Sequence, residues 1–284
     1  MPIPEAFVSH AQNFEDVMLW RALRDRRDGF YIDVGAASPV SGSVTLAFYE
    51  RGWHGINVEP DLGPFQALEA HRPRDINLNV ALSDAVGERQ MYFVLDTGNS
   101  TLSEDEARLR EREGRTVEAR RIPVTTLGSL WQQHVAAGQE VHFLKVDVEG
   151  AEREVLEGLD WRTRHPWIVV VEATRPNTTE PSHEDWEAIL LAADYALVHR
   201  DGLNRFYLSS EHGELRPAFD YPPNYWDHFV TAAQRNAERR AREAQAELAA
   251  IRGSRSWRIT RPLRRVAIAL RRPRENGSEI DRDY

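Results

Sequence analysis

Phe30-Tyr-Ile-Asp-Val-Gly-Ala-Ala37 is the stretch that decides the fold of this 284-residue chain. It reads as a short apolar run, interrupted by Asp33, that leads into a tight turn at Gly35. A second run, Gly55-Ile-Asn-Val-Glu-Pro60, follows at strand-to-strand distance and ends in Glu59. Two such acids, the first beside a glycine turn, are what a doubly wound α/β domain uses to hold an adenosyl group. The glycine lets the backbone approach the ligand closely, and the second acid accepts hydrogen bonds from ribose hydroxyls. The full G-x-G-x-x-G of a dinucleotide site is absent. That argues against a pyrophosphate ligand and for S-adenosylmethionine. Taken alone, the turn also fits an ordinary strand-to-helix connection.

The surrounding pattern supports an α/β fold. Strands are expected at 30–34, 55–58, 76–80, 141–146 and 168–171, the last two apolar enough to lie inside a sheet covered on both faces. Helices are expected at 9–27, capped by Ser9 or Asn13, and at 43–51, 63–70, 127–136, 152–159 and 186–193. This alternation predicts a Rossmann-like, mostly parallel sheet with right-handed crossovers. Residues 195–199 and 205–208, split by Asp201-Gly202, predict a terminal antiparallel hairpin. Residues 96–121 break the rhythm with a charged run. They read either as a solvated insert or as a lid over a site.

Composition narrows the function. Without cysteine, disulfides, thiolate metal sites and a cysteine nucleophile are excluded. No run of 18 apolar residues and no basic-then-apolar start occur, so a cytoplasmic protein is expected. The net charge of −9 conceals a basic stretch at 235–274, so the body is strongly acidic, which argues against nucleic-acid binding. Of the 36 basic residues only Lys145 is a lysine, which reads as compositional bias without chemical meaning. His10, His54, His142 and His183 lack metal-ligand spacing and read as ordinary histidines.

Lys145-Val-Asp-Val-Glu-Gly-Ala-Glu152 ends one expected inner strand and enters a helix. Asp33, Glu59, Asp147 and Glu172 then all fall at strand ends, where open α/β sheets bind ligands. Four acids on one rim suit a sulfonium cofactor, a hydroxyl-bearing substrate or a divalent ion.

At this point the chain resembles the FkbM-type methyltransferases, a branch of the class I S-adenosylmethionine-dependent enzymes. The matching residues are Gln12 with Glu15-Asp16, Asp33-Val-Gly-Ala36, Arg51-Gly-Trp53, Glu59-Pro60, Asn79-Val-Ala-Leu-Ser-Asp84 and Asp147-Val-Glu-Gly-Ala-Glu152, with 169–172 as the following strand. The family turn usually has Asn where this chain has Ala37, so a side-chain contact is expected to be lost while the turn survives. The resemblance implies that Asp33 and Gly35 border the methionine end of the cofactor, with Ala36 also cofactor-binding. It implies that Glu59 binds the ribose, that Asn79 and Ala81 lie by the adenine, and that Pro60 is also cofactor-binding. Gln12 and Asp16 would close the pocket, although both also fit an exposed polar helix face. Methyl transfer to a hydroxyl oxygen needs an acceptor relieved of its proton. Asp147 and Glu149 are the candidate catalytic residues, with Glu149 a candidate base, and Asp147 with Glu172 could share Mg²⁺. Glu152 reads as a complement to the helix dipole.

The expected division is a methyltransferase domain over 1–222, a helical or coiled-coil segment over 223–252 and a basic amphipathic tail over 253–284, disordered at its end. Trp226, Val230, Ala233, Ala237, Ala241, Ala244, Leu248 and Ile251 form the seam that implies a homo-oligomer. Ser254-Arg-Ser-Trp-Arg-Ile-Thr-Arg-Pro-Leu-Arg264 looks like a tail of bacterial glycan-assembly enzymes. Its physics fits anionic lipid at the inner membrane face, a partner such as another glycan-assembly enzyme, or a plain solubilising helix. The expected function is O-methylation of a sugar hydroxyl in a surface polysaccharide or glycosylated metabolite. The alternatives are methylation of a non-sugar natural product or lipid, and a non-catalytic adaptor on the same fold.

Overall fold

The computed structural model describes residues 6–95, 100–176 and 178–264. It divides into two compact units, Met1–Thr231 and Ala232–Tyr284. In chain order the first unit contains β1 (Phe7–Ser9), α1 (Glu15–Leu23), β2 (Phe30–Val34), α2 (Leu46–Tyr49), β3 (His54–Val58), α3 (Leu62–His71), β4 (Ile76–Leu78), β5 (Ala81–Leu82), β6 (Gly87–Val94) and α4 (Glu104–Arg112). It continues with β7 (Val117–Thr125), α5 (Leu127–His134), β8 (Phe143–Val146), α6 (Glu152–Glu157), β9 (Ile168–Glu172), α7 (Glu187–Leu191), β10 (Tyr195–Arg200), β11 (Asn204–Ser209) and β12 (Phe229–Thr231).

Seven strands form the main sheet in the order β10-β11-β9-β8-β2-β3-β4. The strands from β9 to β4 are parallel, and β11 runs antiparallel to both neighbours, so the expected terminal hairpin is present. From β2 the chain runs outward through β3 to β4 and then returns to β8 on the other side. That reversal puts the topological switch point between β2 and β8, where such sheets open a ligand crevice. Alternating side chains feed two apolar layers. Ile32 and Val34 pack with Leu127, Leu130, Val155 and Leu156 on one face. Tyr31 packs with Met18, Leu19, Leu23 and Phe48 on the other. Both faces are covered, which is why these strands carry few polar residues.

A buried polar knot ties the strands below the rim. Asp75 accepts hydrogen bonds from the Tyr31 hydroxyl (2.7 Å), Asn57 Nδ2 (2.9 Å) and the Gly55 amide (2.9 Å), and faces Arg72 at 3.7 Å. Arg72 also donates to the Pro39 carbonyl and to Ser43 Oγ (2.9 Å), which steadies the loop after β2. Removing one partner of such a pair leaves a buried charge uncompensated, a loss of about 3–5 kcal/mol.

Three expectations need correction. Residues 9–27 are not one helix. Residues 7–9 form β1, Phe14 takes a left-handed backbone (φ 63°), and α1 starts only at Glu15, with no side-chain cap from Ser9 or Asn13. The described part of 96–121, residues 100–121, is more than an insert, and residues 96–99 lie outside the described residues. β6 and β7 pair antiparallel along their lengths and join β5 in a second, three-stranded sheet, with α4 between them. Finally, residues 223–231 do not belong to the long helix. They form one 3-10 turn, Tyr225–Asp227, capped by Asn224, and then β12, which pairs in parallel with β1. Asp227 grips Arg21 with two hydrogen bonds, at 2.7 and 2.6 Å. Trp226 and Val230 therefore belong to the first unit and not to a helical seam.

The second unit begins with α8 (Ala232–Gly253), an exposed helix braced by i,i+4 pairs such as Arg239–Glu243 at 3.1 Å. A short helix, α9 (Arg255–Ile259), follows, with Ser254 Oγ accepting from the Trp257 amide at 3.2 Å. The part of the expected amphipathic tail beyond residue 264 lies outside the described residues. No helix among the described residues is long and apolar enough to cross a membrane.

Candidate active site

A cavity of about 490 Å³ opens at the carboxyl ends of β2, β3 and β8. Gly35, Ala36, Glu59, Pro60 and Ala81 line one half, and Asp147 and Glu149 line the other, with Gln12 also on the wall. Of the remaining expected residues, Asp16, Asp33, Asn79 and Glu172 are not on the wall but act just behind it.

The β2 turn is shaped by contact. Gly35 has φ 77°, and a Cβ there would sit 1.8 Å from the Asp147 carbonyl, so only glycine lets the β2 and β8 tips close. Ala37 follows at φ 47° and donates its amide to Glu59 Oε2 at 2.8 Å. The turn survives without the family's Asn, as expected. Glu59 Oε1 accepts from the Asp61 amide at 2.7 Å, so each oxygen already holds a backbone donor and keeps a second lone pair for a ligand. Burial pushes the Glu59 carboxyl up to about 7, against the pull of those two amides. Asn79 donates to the carbonyls of Glu59 (3.0 Å) and Pro60 (2.9 Å) and so fixes the turn from behind.

Asp16 is fully buried and accepts from Ser9 Oγ (2.7 Å) and the amides of His10 (2.7 Å) and Ala11 (3.2 Å). It faces the backbone and not the cleft, because β1 covers that side of α1. Its effect is to hold the segment that presents Gln12. Its neighbour Glu15 is also buried, receiving Asn204 Nδ2 at 2.8 Å and the Asn13 amide at 2.9 Å.

On the β8 side, Glu149 stands out. It has φ 55° and is followed by Gly150 at φ 98°, so the loop leaves the strand through two left-handed residues. Such strain costs of order 1–3 kcal/mol and persists where neighbours enforce it. Here Thr101 Oγ1 donates to the Glu149 carbonyl at 2.7 Å, and Glu152 Oε1 accepts the amides of Val148 (3.2 Å) and Gly150 (3.0 Å). Glu152 is thus a loop brace, beyond its dipole role. Glu149 Oε2 is buried without a hydrogen-bond partner. Burial, and then the Asp147 carboxylate, push its carboxyl up to about 7, with Arg110 opposing. β6 and the insert both contribute directly: Met91 on β6, and Ser100 and Leu102 from the insert, line the cleft.

Sequence reasoning missed Lys145. Its Nζ donates to the Gly35 carbonyl at 2.8 Å and lies 3.3 Å from Asp147 and 3.4 Å from Asp33. Asp33, itself held by Thr45 Oγ1 at 3.1 Å, is almost wholly buried beneath it. Burial works against the ammonium, but the Asp147 and Asp33 carboxylates outweigh it and hold the lysine well above its ordinary range. A single lysine among so many arginines was the available signal.

The expected magnesium pair does not fit these surroundings. Asp147 already faces the Lys145 ammonium. Glu172 is buried, and burial followed by the Asp147, Glu149 and Glu152 carboxylates drives its carboxyl far above the usual range, against the ionised form a metal ligand needs. Among the described residues no group of three or more His, Asp or Glu side chains is placed to hold a metal ion.

Residues 33–197 match the family model for the methyltransferase FkbM domain. The chain belongs to the FkbM methyltransferase family. The FkbM match takes in the cleft residues from Asp33 to Glu172, whereas Gln12, Glu15 and Asp16 precede it. Among solved structures, the chain is similar to a protein in the NADB-Rossmann superfamily from Streptococcus agalactiae, with 11% identity, 74% of each chain covered and a TM-score of 0.38. A search of curated proteins returned no match.

Proposed function

We propose that the switch-point cleft binds S-adenosylmethionine and that this FkbM methyltransferase methylates a sugar hydroxyl of a bacterial surface polysaccharide or glycosylated metabolite. One observation carries the reading. The cleft joins a glycine turn faced by Glu59, suited to a ribose, to an uncommitted buried carboxylate at Glu149, suited to a proton. The residues fit the cofactor: Gly35 gives backbone access, the free lone pairs of Glu59 suit hydroxyl donors, and Ala36, Pro60 and Ala81 supply apolar wall. When bound, the cofactor supplies a methyl group on an activated sulfonium, which leaves as a neutral thioether while the acceptor oxygen gains the methyl and loses its proton.

The chain's own part is alignment and proton removal. Glu149 is the proposed base, because its carboxyl titrates near neutrality and its Oε2 has no other partner. Asp147, 3.3 Å from the Lys145 ammonium, is the proposed hydrogen-bond acceptor for a substrate hydroxyl. The polar wall of Gln12, Ser100, Asp147 and Glu149 favours a hydroxyl-rich acceptor over an apolar one. In the second unit, Trp257, Ile259 and Leu263 are exposed among arginines, which supports peripheral docking on an anionic lipid face. Leu248 and Ile251, exposed on α8, support self-association through that helix.

The test is a mass-spectrometric comparison of surface glycans from cells carrying the active protein or its Glu149→Gln variant. One methyl increment present only with the active protein is expected. Identical glycans, with the protein shown to bind S-adenosylmethionine, would move the acceptor to another class.

A further inference from the structure

The 36 basic residues comprise 35 arginines and one lysine, and the lysine sits at the switch point. Compositional bias accounts for the arginines but not for the exception. The surroundings of Lys145 do. Three oxygens converge on Nζ: the Gly35 carbonyl accepts a hydrogen bond at 2.8 Å, and the carboxylate oxygens Asp147 Oδ2 and Asp33 Oδ1 make charge contacts at 3.3 and 3.4 Å. An ammonium is a compact point charge that can sit among all three. A guanidinium presents a planar fork, with its charge spread over three nitrogens, that cannot centre on one such point. The Lys145 side chain is only 12% exposed and Asp33 is 2% exposed, so solvent screens the contact between these two little.

We propose that Lys145 is the resident cation of the rim, sitting between the β2 and β8 tips against the same Asp147 carboxylate that a divalent ion would share with Glu172, and positioning the Gly35 turn and Asp147 for the cofactor. The proposal rests on the cofactor reading above and deepens it. Lys145 joins the two sides of the crevice: one donor on the β2 turn, one charge contact on the β8 tip, and Asp33 beneath as counter-charge. Asp147 is left with a fixed orientation and 37% of its side chain open, free to face a ligand. A metal at the same carboxylate would stand against an ammonium within a few ångströms, so the site needs none. Lys145 is thus a positioning residue, acting through Gly35 and Asp147.

The solitary lysine makes the test specific. Protein grown with isotope-labelled lysine gives one side-chain ammonium resonance. On wild-type protein, S-adenosylmethionine should shift that resonance, and magnesium chloride should leave it in place. Calorimetric affinity for S-adenosylmethionine should be the same in excess EDTA and in magnesium. Lys145→Met should weaken binding about tenfold or more, with magnesium restoring part of it in the emptied position, and Lys145→Arg should not restore it. Three results would overturn the proposal: chelation that weakens wild-type binding about tenfold, magnesium that moves the lysine resonance, or Lys145→Arg protein that binds like wild type. The first two use unaltered protein and do not depend on a variant folding. Folded wild-type protein that binds no S-adenosylmethionine, with or without magnesium, would overturn the cofactor reading itself, and this proposal with it.

Discussion

The two halves of the cleft use their carboxylates in opposite ways. On the β3 side, both oxygens of Glu59 are engaged by backbone amides, and the result is a shaped turn. On the β8 and β9 side, Glu149 and Glu172 each keep a buried oxygen without a hydrogen-bond partner, and Glu149 does so on a strained backbone. Both Glu59 and Glu149 have carboxyls raised by burial to about 7, so titration does not separate them. What separates them is commitment. An acid already tied to the chain can recognise a ligand with its spare lone pairs, whereas an untied one can take up a proton.

That contrast can be broken in several places. The largest effect is expected at the seam between the halves. Gly35→Ala would drive a Cβ into the Asp147 carbonyl, so cofactor binding should fall below detection by calorimetry and the melting temperature should drop. Next, Glu149→Gln should lower methyl transfer about 10²–10⁴-fold while cofactor affinity stays within a few-fold, as read by glycan methylation and calorimetry. A third effect is global. Glu15, Glu59, Glu149 and Glu152 all have folded-state carboxyls raised to about 7 from ordinary values near 4.5. A raised value means that their contribution to stability is full below about 4.5 and is lost as pH climbs through 7. Without ligand, the melting temperature should therefore fall between pH 5 and pH 8, and Glu149→Gln should flatten that fall. The smallest effect is at Ala37, whose left-handed backbone disfavours a Cβ. Ala37→Asn should stabilise the fold by about 0.5–1 kcal/mol in denaturant unfolding, because Asn tolerates that region better.

The strand tips were legible in the sequence because each acid closes an apolar run, and burial on both faces leaves little room for other polar residues. β7 was not legible: Val117-Glu-Ala-Arg-Arg121 has no apolar stripe, and it is held by backbone pairing to β6 and by Arg120 over the Phe93 ring at 4.8 Å. The start of α1 was misread because polar spacing cannot reveal that β1 covers one face and that the Asp16 carboxylate is used up on amides. β12 was missed because its partner lies at the other end of the chain. Lys145 was visible as a letter, but its meaning depends on Gly35 and Asp33, more than a hundred residues away and adjacent only in the folded sheet. Sequence therefore shows which acids reach the rim, while the fold decides which of them remain free.

The central claim, that the β2–β3 turn holds an adenosyl ribose through Glu59, is tested most directly by calorimetric titration of wild-type and Glu59→Ala protein with S-adenosylmethionine. The account predicts one site per chain in the wild type, and an affinity loss of about 5- to 150-fold in the variant, equivalent to about 1–3 kcal/mol. Equal affinities in two well-folded proteins, or no binding by the wild type, would contradict it.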